Sequence, residues 1–174
     1  MLDRLRGVVT FDASVYREIA KDEGATGSAV LVLVLVSLAP VLVMSLINRG
    51  ADLLLAPFHV VGALLAWFLY AVLLAFVARR FFEGEVDTEQ MLRVSGYSSV
   101  FNLVSFIPVV QVAGVMLFIV GTVLGVREAA EFDALKAGLT VLVTLALGLS
   151  LVLALGILVA LLGGVALLPR FNSR

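Results

Sequence analysis

The chemistry open to this chain rests on a few polar side chains set in an apolar sequence. Ser98, Asn102 and Ser105 recur at i, i+4 and i+7, with Ser95 one turn earlier and Gln111 just beyond Pro108. On a helix that spacing draws one polar stripe. In lipid, such side chains either hydrogen-bond a neighbouring helix or border a water-filled route for a small solute. No Asp, Glu, Lys or Arg lies between 94 and 126. That favours packing, because coupled transporters and voltage sensors keep ionisable groups within the membrane. Ser98 as a nucleophile needs a base within hydrogen-bond reach, and the sole histidine is His59. No HExxH, no G-x-S-x-G elbow and no paired intramembrane acids occur. Glu83, Glu85, Asp87 and Glu89 offer carboxylates to a divalent cation, but a solvated acidic loop explains them better. The chain has no cysteine, hence no thiolate site. The expectation is no catalytic residue, no cofactor and no metal.

The elements that carry these residues follow from composition. Of 174 residues, 62% are hydrophobic and only 14% charged, and mean hydropathy is +1.16. Soluble domains sit near half apolar and a quarter charged, so this chain cannot cover a water-facing surface. The net charge of −1 comes without a basic stripe, which argues against nucleic acid. Uncharged runs occupy 24–48, 53–78, 94–126 and 137–169. A crossing takes about 20 apolar residues. Stretches such as Val30–Val36 and Leu145–Leu155 do not alternate, which excludes membrane strands. Backbone groups in lipid must be satisfied within the segment, so the runs are helices. The fold class is all-α: a membrane helical bundle of about five spans, with a short amphipathic helix before it.

Residues 1–23 place Val8, Phe11, Val15 and Ile19 at helical spacing, with Ser14, Arg17, Glu18 and Lys21 facing away. This predicts one amphipathic helix, lying on the bilayer surface or packed on the protein's own loops. A five-span membrane domain follows over 24–169 and a tail over 170–174. The first span runs from about Ser28 to Ile47, with a kink near Val36–Pro40. The second covers Pro57 to Ala78 and stops at Arg79-Arg80, cations suited to a helix C-terminus. Trp67 and Tyr70 fall mid-span and are expected to face other helices, where their polar tips find partners. Asp87 with Gln90 reads as a capping box that opens a third helix reaching Ile107-Pro108. A fourth span covers Val109 to Val126, so 94–126 is read as a helical hairpin in preference to one tilted helix. The fifth runs from Ala137 to about Leu162, loosened by Gly163-Gly164.

With five spans and the N-terminus inside, nine Lys/Arg lie in cytosolic segments and three outside. The expected orientation is N-in, C-out. Gly121 with Gly125, and Gly156 with Ala160 and Gly164, are small-xxx-small rows that let helices approach closely. They serve packing within the monomer or, as the rival reading, a homo-oligomer face.

The order of these features resembles the Yip family of small polytopic membrane proteins. The likeness runs from "TFDASVYREIAKDEGATGSAV" through "EGEVDTEQMLRVSGYSSVFNLVSFIP" to "GVREAAEFDALKAGLTVLV". Gly96-Tyr97 match the Gly-Tyr that opens the family's third span. The resemblance implies five spans, a cytosolic N-terminus and no catalysis. Eukaryotic members are associated with membrane trafficking and lipidated small GTPases. The Asp-Leu-Tyr-Gly-Pro motif of those members is absent, Phe101 stands where a proline is expected, and the N-terminal region is short. These departures make the chain look like a prokaryotic relative in the cytoplasmic membrane. The expected function is a non-enzymatic membrane-organising or trafficking-like scaffold, in contact with the bilayer and with membrane-protein or small-GTPase-like partners. The alternative is a passive small-solute transporter or channel subunit built around Ser98, Asn102, Ser105 and Gln111.

Overall fold

The computed structural model describes residues 1–105 and 110–171, excluding the side chains of 51–52 and 163–171. Eight α-helices form among them, and no strand: α1 (Leu2–Val9), α2 (Ala13–Lys21), α3 (Ala25–Ile47), α4 (Ala56–Phe82), α5 (Thr88–Ser98), α6 (Asn102–Ser105), α7 (Gln111–Ala129) and α8 (Ala134–Phe171). Short 3-10 turns at Ala51–Leu55 and Ser99–Phe101 lead into α4 and α6. Among the described residues four helices are long and apolar enough to cross a membrane: Ala25–Ile47, Leu53–Phe82, Gln111–Ala129 and Ala134–Leu162. The expected third crossing is built from α5, its 3-10 turn and α6. These 18 helical residues rise about 27 Å, nearly the depth of the hydrocarbon core.

That segment is the centre of the bundle, packed by α3, α4 and α7 and covered by α2. Met91, Arg93, Val94, Ser95, Gly96, Tyr97 and Ser98 are all buried. A helix surrounded by protein has no lipid to satisfy, so it can carry small and polar residues that an outer helix cannot. Its low apolarity is therefore a consequence of its position. The hairpin reading holds, since α5–α6 runs back to back with α7: Gly114 lies against Ser105, Gly121 against Phe101 and Gly125 against Val94. The Ile107-Pro108 stop lies outside the described residues.

The single N-terminal helix expected from the sequence is instead two. Phe11 takes a left-handed backbone (φ 57°), and the Asp12 side chain then caps α2 by accepting from the Ser14 amide at 2.9 Å. Three other helices end the same way, at Arg49, Glu83 and Glu131 (φ 53–56°). The next amide bonds back each time, to Gly7, Ser45, Ala78 and Arg127 in chain order. This satisfies carbonyls that a helix end leaves free. None of the four is glycine, so the usual stop signal is missing. The apolar face of α2 is spent on protein, with Tyr16, Ile19 and Ala20 buried and α2 packed on α7 and α5.

Pro40 sits inside α3, which continues to Ile47; the Val36 carbonyl has no amide to accept from at Pro40. The bundle is tight at the end holding the N-terminus and open at the other. In α8, Ala137, Thr140, Val141 and Thr144 are buried, whereas every residue of 149–162 is exposed. That apolar half-helix fits a lipid surround.

Candidate functional site

The stripe read from the sequence is divided by the structure. Ser98 is fully buried beside α2, its hydroxyl donating to the Val94 carbonyl at 2.8 Å. Ser105 is packed against Gly114 of α7, its buried Oγ without a partner among the described residues. Gln111 is exposed at the start of α7. Only Asn102 stays with the groove, a cavity of about 310 Å³ whose other polar lining is Ser95, Ser99, Trp67 and Tyr70. Ser95, Ser99 and Asn102 are themselves spaced i, i+4 and i+7, an alternative stripe displaced from the expected one. The sequence could not separate the two, since Ser98 and Ser99 are neighbours.

Most of these hydroxyls are already used. Ser95 Oγ donates to the Met91 carbonyl at 2.6 Å and accepts from Trp67 Nε1 at 3.0 Å. Ser99 Oγ donates to the Gly96 carbonyl at 2.6 Å. Such back-bonding satisfies a hydroxyl without any water or solute. Trp67 finds the partner expected of it. The Tyr70 ring packs on Phe118 at 6.0 Å, but its buried hydroxyl has no partner among the described residues.

Gly96 and Tyr97 act as packing residues. A Cβ at Gly96 would sit 2.9 Å from Ala29 Cβ and 3.1 Å from Trp67, so only glycine lets α5 approach α3 and α4 this closely. Tyr97 is buried, and its hydroxyl bonds Ser28 Oγ at 2.7 Å. The capping box forms as expected: the Gln90 amide donates to Asp87 Oδ1 at 2.6 Å and the Asp87 amide to Gln90 Oε1 at 3.0 Å. His59 lines an apolar hollow with Pro40, Met44 and Phe58, away from Ser98 in its α2 contact. Among the described residues no three acidic or histidine side chains converge.

The small-residue rows also divide. Gly121 and Gly125 lie in close contact within the chain. Gly156 has no atom within 4 Å of a built Cβ, and Ala160 is exposed. Among the described residues the Gly156–Ala160 row therefore packs against nothing in the monomer, because α8 has left its neighbours by that point. The side chains at 163–164, including Gly164, lie outside the described residues.

A charged end gathers what the sequence scatters over 1–23, 79–93 and 127–136. Glu128, 3% exposed, accepts from Arg17 at 2.6 Å and from Arg127 at 2.8 Å. Lys21 reaches Glu131 at 3.5 Å. Arg4 bonds both Glu18 at 2.7 Å and Asp22 at 2.6 Å, and its guanidinium pKa is raised, chiefly by the Glu18 bond. Burial pushes the Tyr16 hydroxyl up to about 12. The Arg4 bond, helped by the Gly24 amide, holds the Asp22 carboxyl below its ordinary 3.8. A depressed carboxyl stabilises the fold above its unfolded value and loses that contribution as pH falls through the folded value. Amide exchange protection of α1 is therefore expected to hold from pH 7 to 5 and to weaken only below about 3.8. Loss between pH 7 and 5 would contradict the Arg4 clamp.

Connections follow from this gathering. The chain leaves the charged end along α3, returns along α4, leaves through α5–α6, returns along α7 and leaves along α8. No curated protein matches the chain, and no solved structure does. The family model of the Yip1 domain matches residues 6–157, spanning the N-terminal helices, the central α5 with its Gly96-Tyr97 and the inner half of α8. The chain belongs to the Yip1 domain family of membrane proteins.

Proposed function

We propose that this protein is a non-enzymatic scaffold or adaptor of the membrane. Its charged end, built from α1, α2, the 83–89 loop and the α7–α8 corner, would receive a membrane-protein or small-GTPase-like partner. The N-terminus and this end lie in the cytosol, and α8 carries the C-terminus outward. The single observation behind the reading is the state of the polar stripe. Ser95, Ser98 and Ser99 return their protons to their own helix, and Ser98, Asn102 and Ser105 face three different surroundings. Hydroxyls arranged this way fasten a bundle and leave no continuous row of free groups for a solute to follow. Arg17 and Glu128 in turn tie the N-terminal helices to α7, so the charged end is presented as a preformed surface.

The rival reading, a passive facilitator, has one observation in its favour: Asn102 lines the 310 Å³ groove, with no hydrogen bond from its amide among the described residues. The chain lacks cysteine, so single cysteines at 98, 102 and 105 can be probed with a small water-soluble thiol reagent. Under the scaffold reading, positions 98 and 105 stay unlabelled and reconstituted vesicles leak no faster than empty ones. Asn102→Leu then leaves that leak unchanged. Labelling at all three positions, with flux reduced by Asn102→Leu, would establish the facilitator instead. Orientation is read in the same background: cysteines at Ser14 and Thr88 are protected from impermeant reagent in intact cells.

A further inference from the structure

Arg93 is the one cation of α5, and it is 3% exposed. Its Nε and Nη1 are buried without a hydrogen-bond partner among the described residues. A buried guanidinium with unmade hydrogen bonds is among the costlier arrangements a fold can hold. Such a group persists where a water or an anion completes it, and an anion makes the stronger bonds. Two acids on this side of the bundle, Glu18 and Asp22, bond Arg4.

The position of Arg93 follows from its neighbours. One turn further along α5, Tyr97 bonds Ser28 of α3 at 2.7 Å, and Gly96 lies on Ala29. Helices α3 and α5 leave the charged end in the same direction, so Arg93 is level with Gly24 and Ala25, the start of α3. Its charge is felt by Asp22, which immediately precedes that turn. This is also the N-terminus of a 23-residue helix whose N-cap, Gly24, supplies no side-chain acceptor. Its own amide bonds Asp22 Oδ1 at 2.9 Å. The Ala25 and Thr26 amides bond the Asp22 and Glu23 carbonyls at 2.9 and 3.5 Å, so what this helix start offers an anion is its dipole. The approach is open at Gly27, which is exposed with nothing within 4 Å of a built Cβ, whereas Asp22 Oδ1 lies 3.2 Å from a Cβ built at Gly24. Because α3 is apolar from this turn onward, the turn sits at the bilayer boundary, the depth of lipid phosphates.

We propose that the first turn of α3, backed by Arg93, is a binding site for the phosphodiester of a membrane phospholipid. Gly27 admits the headgroup, the helix dipole faces it, and the Arg93 guanidinium donates the hydrogen bonds that it does not make within the protein. Free phosphate shares this chemistry, and the acyl chains, which would lie along the apolar face of α3, distinguish the lipid.

The test is native mass spectrometry of the full chain in mild detergent, titrated separately with phosphatidylglycerol, with diacylglycerol and with inorganic phosphate. The expected result is one phosphatidylglycerol retained per chain, and neither diacylglycerol nor phosphate retained at equal concentration. Arg93→Gln should weaken retention on the order of tenfold or more, as expected for a lost charged hydrogen bond, while Arg93→Lys restores part of it. Gly27→Leu keeps Arg93 and fills open space, so it should fold normally and still lose the lipid. This keeps the test decisive if Arg93→Gln does not fold. Exposed Arg80→Gln serves as the control and should match the parent. Equal retention by the parent, Arg93→Gln and Gly27→Leu would overturn the site, and so would retention of no lipid by the parent. Binding of inorganic phosphate without lipid would overturn the lipid assignment.

Discussion

Gly125→Leu is expected to cost about 3 kcal/mol or more, the upper part of the range for overpacking a filled core. The first added carbon already meets Val94 Cβ at 2.8 Å and Tyr16 Cδ1 at 3.4 Å. Both neighbours are fully buried and cannot swing into open space. Gly121 is held as tightly, with Phe101 at 2.8 Å and the Tyr16 hydroxyl at 3.0 Å from a built Cβ. The contrast is Gly156→Leu, which adds an apolar side chain where nothing lies within 4 Å. Its effect should stay within about 0.5 kcal/mol, as for an exposed site. Thermal unfolding in mild detergent, followed by the fraction still monodisperse, reads the difference. A Gly125→Leu protein as stable as the parent would mean that α5 and α7 are not packed as described. A Gly156→Leu protein as unstable as Gly125→Leu would mean that the outer half of α8 has a tightly fitted partner.

These two glycines illustrate what a sequence carries and what it does not. Gly121-xxx-Gly125 and Gly156-xxx-Ala160 share a spacing and an apolar setting, and spacing alone ranks them together. Their difference arises from where each helix leaves its neighbours, a property of the whole bundle. Local signals fared better. The runs of uncharged residues gave the long helices, the Asp87–Gln90 capping box opened α5 where expected, and Arg79-Arg80 fell in the last turn of α4. The break between α1 and α2 was hidden, because Phe11 adopts the left-handed conformation that a reader looks for in glycine. Its ring stacks on Phe101 at 5.1 Å, a long-range contact that favours the local strain and leaves no mark nearby in the sequence. The polar stripe was legible as a helix face but not as to what surrounds it. Ser98 and Ser99 are adjacent, and a rotation of one residue decides which of them meets α2 and which lines the groove. The gathering of Arg17 with Glu128 and of Lys21 with Glu131 joins residues about 110 positions apart. A charge count could place these segments on one side of a membrane, but it could not pair them.

Tyr16 is the residue through which the N-terminal helices become part of the bundle, and removing its ring tests that role. It is fully buried although it lies outside the 94–126 and 137–169 runs. Its neighbours are the two closely held glycines of α7. Its hydroxyl makes a long bond to the Val8 carbonyl, at 3.4 Å, and lies beside the Ser98 hydroxyl. The ring should therefore matter far more than the hydroxyl. Tyr16→Ala removes a large aromatic from a filled site and is expected to cost about 3–5 kcal/mol. Tyr16→Phe loses only the hydroxyl's weak contacts and is expected to cost about 1 kcal/mol. The loss in Tyr16→Ala should concentrate where α2 meets α5 and α7, because the ring fills that contact, while the Arg17–Glu128 pair remains in place. Limited proteolysis of the full chain should then cut within residues 10–24 at least an order of magnitude faster than in the parent, tracking the population of the open form. Tyr16→Phe should be cut at nearly the parental rate. If Tyr16→Ala is as resistant as the parent, α1 and α2 are held by their charges alone. If Tyr16→Phe fails as badly as Tyr16→Ala, the hydroxyl, and not the ring between the two glycines, secures the N-terminal helices.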